Sequence, residues 1–169
     1  SGSVAQTSFA TPGSHTVSLR VTDAGGAGAV SSQRITVSAR PLPALQLLSP
    51  FPVVRIAGRA TGLGVNLRLV SAEAPAGSRV TLTCRGRTCP RRSETRVAPG
   101  SASVGRLRVV TFPRFARSLR SGVVLEIRVT KSGRIGKYTR FVIQRNRAPR
   151  RSDSCLLPGG SAPKACPAS

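Results

Sequence analysis

The sequence predicts an all-β chain whose larger part is a β-sandwich. Three observations lead there. Apolar residues recur at every second position in repeated short runs along the chain. The apolar content is 39%, but aromatics make up only 4% and there is no Trp or Met, so a core must be built from Val, Leu, Ile and a few Phe. Val and Ile carry two heavy atoms on Cβ and favour the pleated surface of a strand. The third observation is punctuation: 17 Gly and 13 Pro fall in clusters between the alternating runs.

The first two strands lie in residues 15–39. In His15–Thr22, Val17, Leu19 and Val21 alternate with Thr16, Ser18, Arg20 and Thr22, which gives one buried face and one wet face. Thr11-Pro12-Gly13 is a turn signal upstream, and Asp23-Ala24-Gly25-Gly26 turns the chain. A second strand over Gln33–Ser38 has Ile35 and Val37 inward. Residues 40–52 carry Pro41, Pro43, Pro50 and Pro52 and read as a semi-extended linker, because proline fixes φ.

From residue 53 the alternation returns. Strands are expected at Val53–Ala60, at Gly64–Glu73 with Val65, Leu67 and Leu69 inward, and at Arg79–Cys84 with Val80 and Leu82 inward. Further strands are expected at Glu94–Ala98, at Ser103–Val110 with Arg106 and Arg108 outward, at Val123–Thr130, and at Lys137–Gln144 anchored by Tyr138 or Phe141. Val123–Thr130 is the cleanest: Val123, Leu125, Ile127 and Val129 point in, and Glu126, Arg128 and Thr130 point out. Phe112, Phe115 and Leu119 stand at helical spacing, so one short helical turn is expected over Phe112–Arg120. Seven short strands separated by turns make a sandwich over 53–144. Residues 145–169 show no periodicity and read as a basic tail rich in Pro and Gly.

The stretch FATPGSHTVSLRVTDAGGAGAVSSQRITVSA resembles the last two strands of a PKD domain, an Ig-like module of secreted and surface proteins. Pro12, Gly13, Val17, Leu19, Val21, Thr22, Asp23, Gly26, Ile35 and Val37 carry the resemblance, with His15 where the family usually has Tyr. It covers about the first quarter of the chain, and the family's Trp-Asp-Phe-Gly-Asp-Gly segment does not precede it. Segments shorter than about 40 residues rarely fold alone. Residues 1–39 are therefore expected to be part of a truncated PKD-like domain or to dock on the domain C-terminal to them. The stretch LRSGVVLEIRVTKSGRIGKYTRFVIQRNRAPRRSDSCLLPGG is similar to Arg-rich segments that come after PKD-like modules in secreted proteins of high-GC bacteria. That resemblance implies no activity. The fold expected overall is an Ig-like β-sandwich preceded by two strands of a truncated PKD-like one.

The four cysteines, Cys84, Cys89, Cys155 and Cys166, allow three pairings. Their spacing favours two local loops, 84–89 and 155–166, and disulfides place a chain in an oxidising, extracellular compartment. A zinc site is the alternative, but Cys155 and Cys166 are too widely spaced for the usual ligand pattern. No run of about 18 apolar residues is present, so no membrane-spanning helix is expected. Residues 1 onward show no basic-then-apolar leader; any signal peptide is expected to have been removed or to lie outside this sequence.

Catalytic chemistry finds little support. The five acids, Asp23, Glu73, Glu94, Glu126 and Asp153, are scattered, and Asp23 sits where a short acceptor caps a turn. The single His15 has no carboxylate near it in sequence, and nucleophilic catalysis needs a base with an orienting partner. No phosphate-binding glycine loop leads from a strand into a helix, and five acids are too few for a calcium cage of usual charge. No catalytic residue, cofactor or metal is expected.

The charge is the sharper signal. The net charge is +22, and of the 27 basic residues all but Lys131, Lys137 and Lys164 are Arg. Arg68, Arg79, Arg106, Arg108, Arg128 and Arg140 fall at outward strand positions, so neighbouring strands would array their guanidinium forks on one face toward phosphate or carboxylate. The bland reading stands beside it: Arg, Ala, Gly and Pro share GC-rich codons, and a solvated face needs no ligand. One Tyr and five Phe leave few stacking platforms, so nucleic acid ranks below an anionic cell-envelope glycan or phosphopolymer, or a protein, as partner. Three functions remain open: an interaction or spacer module of a secreted or surface protein, a polyanion-binding module, and an accessory domain of a larger extracellular enzyme.

Overall fold

A computed structural model describes residues 4, 6–39, 45–100 and 105–167. The chain divides into two compact units, Ser1–Ala44 and Leu45–Ser169. Among the described residues every regular element except one 3-10 turn is a β-strand.

The first unit is a hairpin of β1 (Gly13–Thr22) and β2 (Gly28–Val37), antiparallel in continuous register from Gly13 opposite Val37 to Thr22 opposite Gly28. Both strands run beyond the alternating segments, because the small residues around them still supply ladder hydrogen bonds. The turn is held as its sequence implies: the Asp23 carboxylate accepts the N–H of Gly25 and of Ala27, both at 2.9 Å. His15 stacks on Phe9 at 4.4 Å between ring centroids, and its Nε2 hydrogen-bonds the Thr11 carbonyl at 2.8 Å. Leu19, Val21 and Val30 remain 55%, 60% and 64% exposed, although Leu19 and Val21 are inward by alternation. Two strands offer only one ladder, and a lone hairpin is marginal in water. Amide exchange in Val17–Thr22 should therefore be faster than in Val124–Thr130; the reverse order, read by hydrogen-exchange mass spectrometry, would give the hairpin a core of its own.

The second unit is an Ig-like sandwich of two sheets. Its described residues form ten strands, where seven were expected over 53–144: β3 (Gln46–Leu47), β4 (Val53–Thr61), β5 (Gly64–Pro75), β6 (Arg79–Arg85), β7 (Ser93–Val97), β8 (Leu107–Thr111), β9 (Ser118–Arg120), β10 (Val124–Thr130), β11 (Arg134–Val142) and β12 (Arg150–Leu156). The larger sheet runs β12-β11-β10-β6-β7, and β3 pairs in parallel with the start of β11. The smaller sheet has β5 at its centre, with β4 on one side and β8 and β9 on the other. Val54, Val65, Leu67, Val70 and Val110 of the smaller sheet close on Val80, Leu82, Leu125, Ile127, Val129 and Phe141 of the larger, forming one core. The alternation read in β6 and β10 places these side chains as expected.

Four expectations need correction. Residues 45–52 are not linker: β3 extends the sheet and Leu48 is buried, while Arg40, Pro41 and Pro43 lie outside the described residues. Residues 150–156 are not tail: β12 pairs with β11 from Gly136 opposite Leu156 to Val142 opposite Arg150. The short helical turn expected over Phe112–Arg120 is present as the 3-10 turn Pro113–Phe115, but its far end is strand β9, so the buried Leu119 belongs to a strand and not to that turn. Leu69 points outward at 39% exposure. Opposite it the pairing passes from Ala57–Leu69 to Gly58–Leu67, so Arg68 is an extra, bulged residue that shifts the pleat by one. A Cβ on Gly58 would stand 2.1 Å from the Asn66 carbonyl oxygen, which is why glycine faces the bulge.

Both cysteine pairs form as the spacing favours: Cys84–Cys89 and Cys155–Cys166, with Cα atoms 5.7 and 4.9 Å apart. The sulfurs are consumed by one another, which removes the zinc alternative. Among the described residues no helix is long and apolar enough to cross a membrane.

Candidate functional site

The ladder registers decide where the arginines point. On β10, Leu125, Ile127 and Val129 enter the core, so Glu126 and Arg128 face solvent, and residues paired across share their face. One outward row therefore reads Ser93, Thr83, Glu126, Arg140, Ser152, and the next reads Thr95, Thr81, Arg128, Tyr138, Ser154. Arg79 opposite Thr130, and Arg85 opposite Val124, stand on the same face at its two ends.

Of the six arginines expected in one lattice, only Arg79, Arg128 and Arg140 share this face. Arg68 is exposed on the smaller sheet, at the bulge beside Arg59 and Asn66, and Arg106 is exposed just before β8. Arg108 is not outward at all. It pairs with Ala74, an inward residue, and is half-buried, while Val109 beside it is 59% exposed. The pairing with β5 sets this parity: Val110 lies opposite the buried Ala72, so Arg108, two residues before it, shares the inward side. The strand begins at Leu107, and Ser103, the expected start, lies outside the described residues.

Arg128 is also less free than its position implies. Its guanidinium lies 5.7 Å from the centre of the Tyr138 ring and 4.0 Å from Glu126 Oε2. Glu126 is buried on this face and draws in Arg85 at 3.7 Å and the Thr83 hydroxyl at 3.2 Å. Burial, then the hydrogen bond and charge of Glu126, push the Tyr138 phenol above its ordinary pKa, against Arg128 and Arg140. The centre of the face is a closed polar knot, and free charge remains toward its ends.

The other acids are equally committed. Glu73 pairs with Arg55 at 3.3 Å. The two edge strands of the larger sheet repeat one device on their inward side, an acid and an arginine two residues apart with the guanidinium over a phenylalanine. On β7, Arg96 Nε donates to Glu94 at 2.8 Å and the guanidinium lies 5.6 Å from the Phe112 ring centre. On β12, Arg151 Nε donates to Asp153 at 2.7 Å and the guanidinium lies 5.5 Å from the Phe141 ring centre. The guanidinium shields the apolar edge where the smaller sheet stops. Arg151 Nη1 also donates to the Val54 carbonyl at 3.0 Å, tying β12 to the opposite sheet.

Asp153 holds three partners. It accepts from the buried Thr139 hydroxyl at 2.6 Å and from Arg151, and Lys137 stands 3.6 Å away. Burial works to raise its pKa, but the hydrogen bonds from Arg151 and Thr139 and the charges of Lys137 and Arg151 outweigh it and hold the carboxyl below its ordinary value. The contribution of its charge is therefore present above the ordinary carboxylate pKa and is lost as pH falls through the lowered folded value. Asp153→Ala should cost about 1–3 kcal/mol, chiefly because the Thr139 hydroxyl is left buried without an acceptor. The ion-pair part is small, since the Asp153 side chain is 40% exposed. Urea melts at pH 7 and in acid check this: the gap between wild type and variant should narrow in acid only by the small ion-pair part, because a protonated carboxyl still accepts from Thr139, and a gap that vanishes or widens in acid would contradict it.

No family model, curated protein or solved structure matches this chain.

Proposed function

We propose that this chain is a non-catalytic interaction module of a secreted or cell-surface protein, and that it engages anionic polymer of the cell envelope. One observation carries the reading: each of the five carboxylates is bound to the chain itself, Asp23 in its turn and the others in ion pairs, while a large arginine excess stays on the solvent side. Committed carboxylates supply no acid–base pair, and unneutralised guanidinium forks match phosphate and carboxylate. Two disulfides in a single chain support an oxidising, extracellular setting. The hairpin of the first unit, with its Asp23-capped turn, supports the resemblance to the end of a PKD domain and hence a spacer or adhesive role.

Fluorescence anisotropy with labelled inorganic polyphosphate, and with neutral dextran of similar length, tests the reading. The expected result is saturable binding of polyphosphate alone, with log K falling linearly in log salt as counterions are released. No saturable binding at low salt, or equal binding of dextran, would overturn it. Arg108 and Arg128 are unsuited to substitution in such a test, because one is inward and the other is stacked on Tyr138.

A further inference from the structure

Four connections of the sandwich meet at one end: the β4–β5 turn, the β6–β7 loop, the β9–β10 turn and the β11–β12 loop. They are bonded to one another. Ser121 N–H donates to the Leu63 carbonyl at 2.8 Å, and Asn146 N–H to the Thr61 carbonyl at 3.0 Å. Gly122 N–H donates to the Ile143 carbonyl at 2.9 Å, and Arg120 N–H to the Thr88 hydroxyl at 2.9 Å. The β6–β7 loop is closed by Cys84–Cys89 and by Cys84 N–H on the Arg92 carbonyl at 2.9 Å. Its Gly86 packs so close to Val123 that a Cβ there would stand 2.7 Å from Val123 Cγ2.

This tied frame carries Arg87, Arg91, Arg92, Arg120, Arg145 and Arg147, all exposed. None of the six forms an ion pair among the described residues, in contrast to Arg55, Arg96, Arg128 and Arg151. The four connections contain no Asp or Glu. Beside the disulfide a cleft of about 650 Å³ opens, lined by Thr83, Arg85, Gly86, Cys89, Arg92 and Ser93; Thr83 and Arg85 are held by Glu126, so Arg92 and the Ser93 hydroxyl are the uncommitted polar groups of its wall. Nothing aromatic lines it, which disfavours a ligand recognised by base stacking.

We infer that this loop end is the polyanion-binding site, and that it takes a linear, base-free polymer of repeating phosphate groups. The inference rests on the polyanion reading above and assigns it a place. Fixed backbones under the arginines reduce the ordering cost of binding, and planar forks grip phosphate oxygens in pairs.

Two charge-matched triple variants test it, with polyphosphate as the probe. Arg87→Gln, Arg91→Gln and Arg147→Gln remove loop-end charge; Arg79→Gln, Arg106→Gln and Arg134→Gln remove the same charge at the opposite end of the sandwich. All six residues are exposed, and matching thermal melts check that both proteins fold. The loop-end triple should lose about tenfold or more in affinity, and its salt slope should fall by about 2–3, whereas the opposite triple should lose less than about threefold. Equal losses would overturn the site and leave polyanion binding intact. Absence of binding by the wild type would overturn both. Tighter binding of single-stranded DNA than of polyphosphate would overturn the ligand class.

Discussion

Phe112→Ala is expected to destabilise the second unit by about 3–5 kcal/mol, the usual cost of deleting a buried aromatic ring. The ring is fully buried between the sheets, edge-on to Phe115 at 6.4 Å between centroids. Its backbone N–H donates to the Val70 carbonyl at 2.9 Å just where β8 leaves the sheet, so the side chain marks the point at which the chain breaks from β8 to β9. The cavity would also remove the surface on which Arg96 lies, loosening the Glu94–Arg96 pair on edge strand β7. A domain of this size has about 5–15 kcal/mol of total stability, so the variant should melt much earlier in denaturant. Val21→Ala, on the exposed face of the hairpin, should change the same transition by less than about 0.5 kcal/mol. Similar losses from both variants would mean that the core has been assigned to the wrong residues.

Replacing both members of a disulfide by alanine should cost about 3 kcal/mol for Cys155–Cys166 and about 2 kcal/mol for Cys84–Cys89, on the chain-entropy account. The difference arises from sequence separations of 11 and 5, because each doubling of a closed loop adds about 0.6 kcal/mol. The longer loop also carries structure. Cys155 N–H and Lys164 N–H each donate to the other's carbonyl, at 2.8 and 2.9 Å, so the bridge folds the chain after β12 back onto the edge of the sheet. Its loss should raise amide exchange in residues 155–164 before global unfolding. The shorter bridge sits at the arginine end, and its removal should loosen residues 85–92 while leaving β10 unchanged. Chemical denaturation of the two double variants measures both costs, and the reverse order would contradict the loop-length argument.

The contrast between strands that are legible in the sequence and strands that are not has a physical basis. Val124–Thr130 lies at the centre of its sheet with one face in the core, and its alternation of apolar and polar residues reports that directly. Strand β12 is an edge strand of sequence RRSDSCL. It is held by its ladder to β11 and by inward Arg151 and Asp153, so no apolar period betrays it. Strand β8 reads LRVVT, with apolar groups on both faces, and its parity is fixed only by pairing with β5. The bulge at Arg68 reverses Leu69 for the same reason: register belongs to two strands, and a single strand's sequence does not contain it.

The candidate site shows the same limit. Reading outward strand positions finds Arg79, Arg128 and Arg140, which do share a face, but it assigns function to the regular part of the strands. The unpaired arginines Arg87, Arg91, Arg92, Arg120, Arg145 and Arg147 lie in or beside separate connections of the chain. They come together only through the topology that brings β4–β5, β6–β7, β9–β10 and β11–β12 to one end. The sequence signal is present as short Arg runs beside turn residues, above all RGRTCPRR, whose cysteine pair fixes the loop that bears them.

Hydrogen-exchange mass spectrometry of the wild-type chain, with and without saturating polyphosphate, tests the central claim most directly. Binding at the loop end predicts slowed exchange in 61–64, 85–93, 119–123 and 143–149, with little change in 76–79 and 131–135 at the opposite end. Slowing spread evenly over both ends, or concentrated at 131–135, would contradict it and reduce the arginine excess to net charge alone.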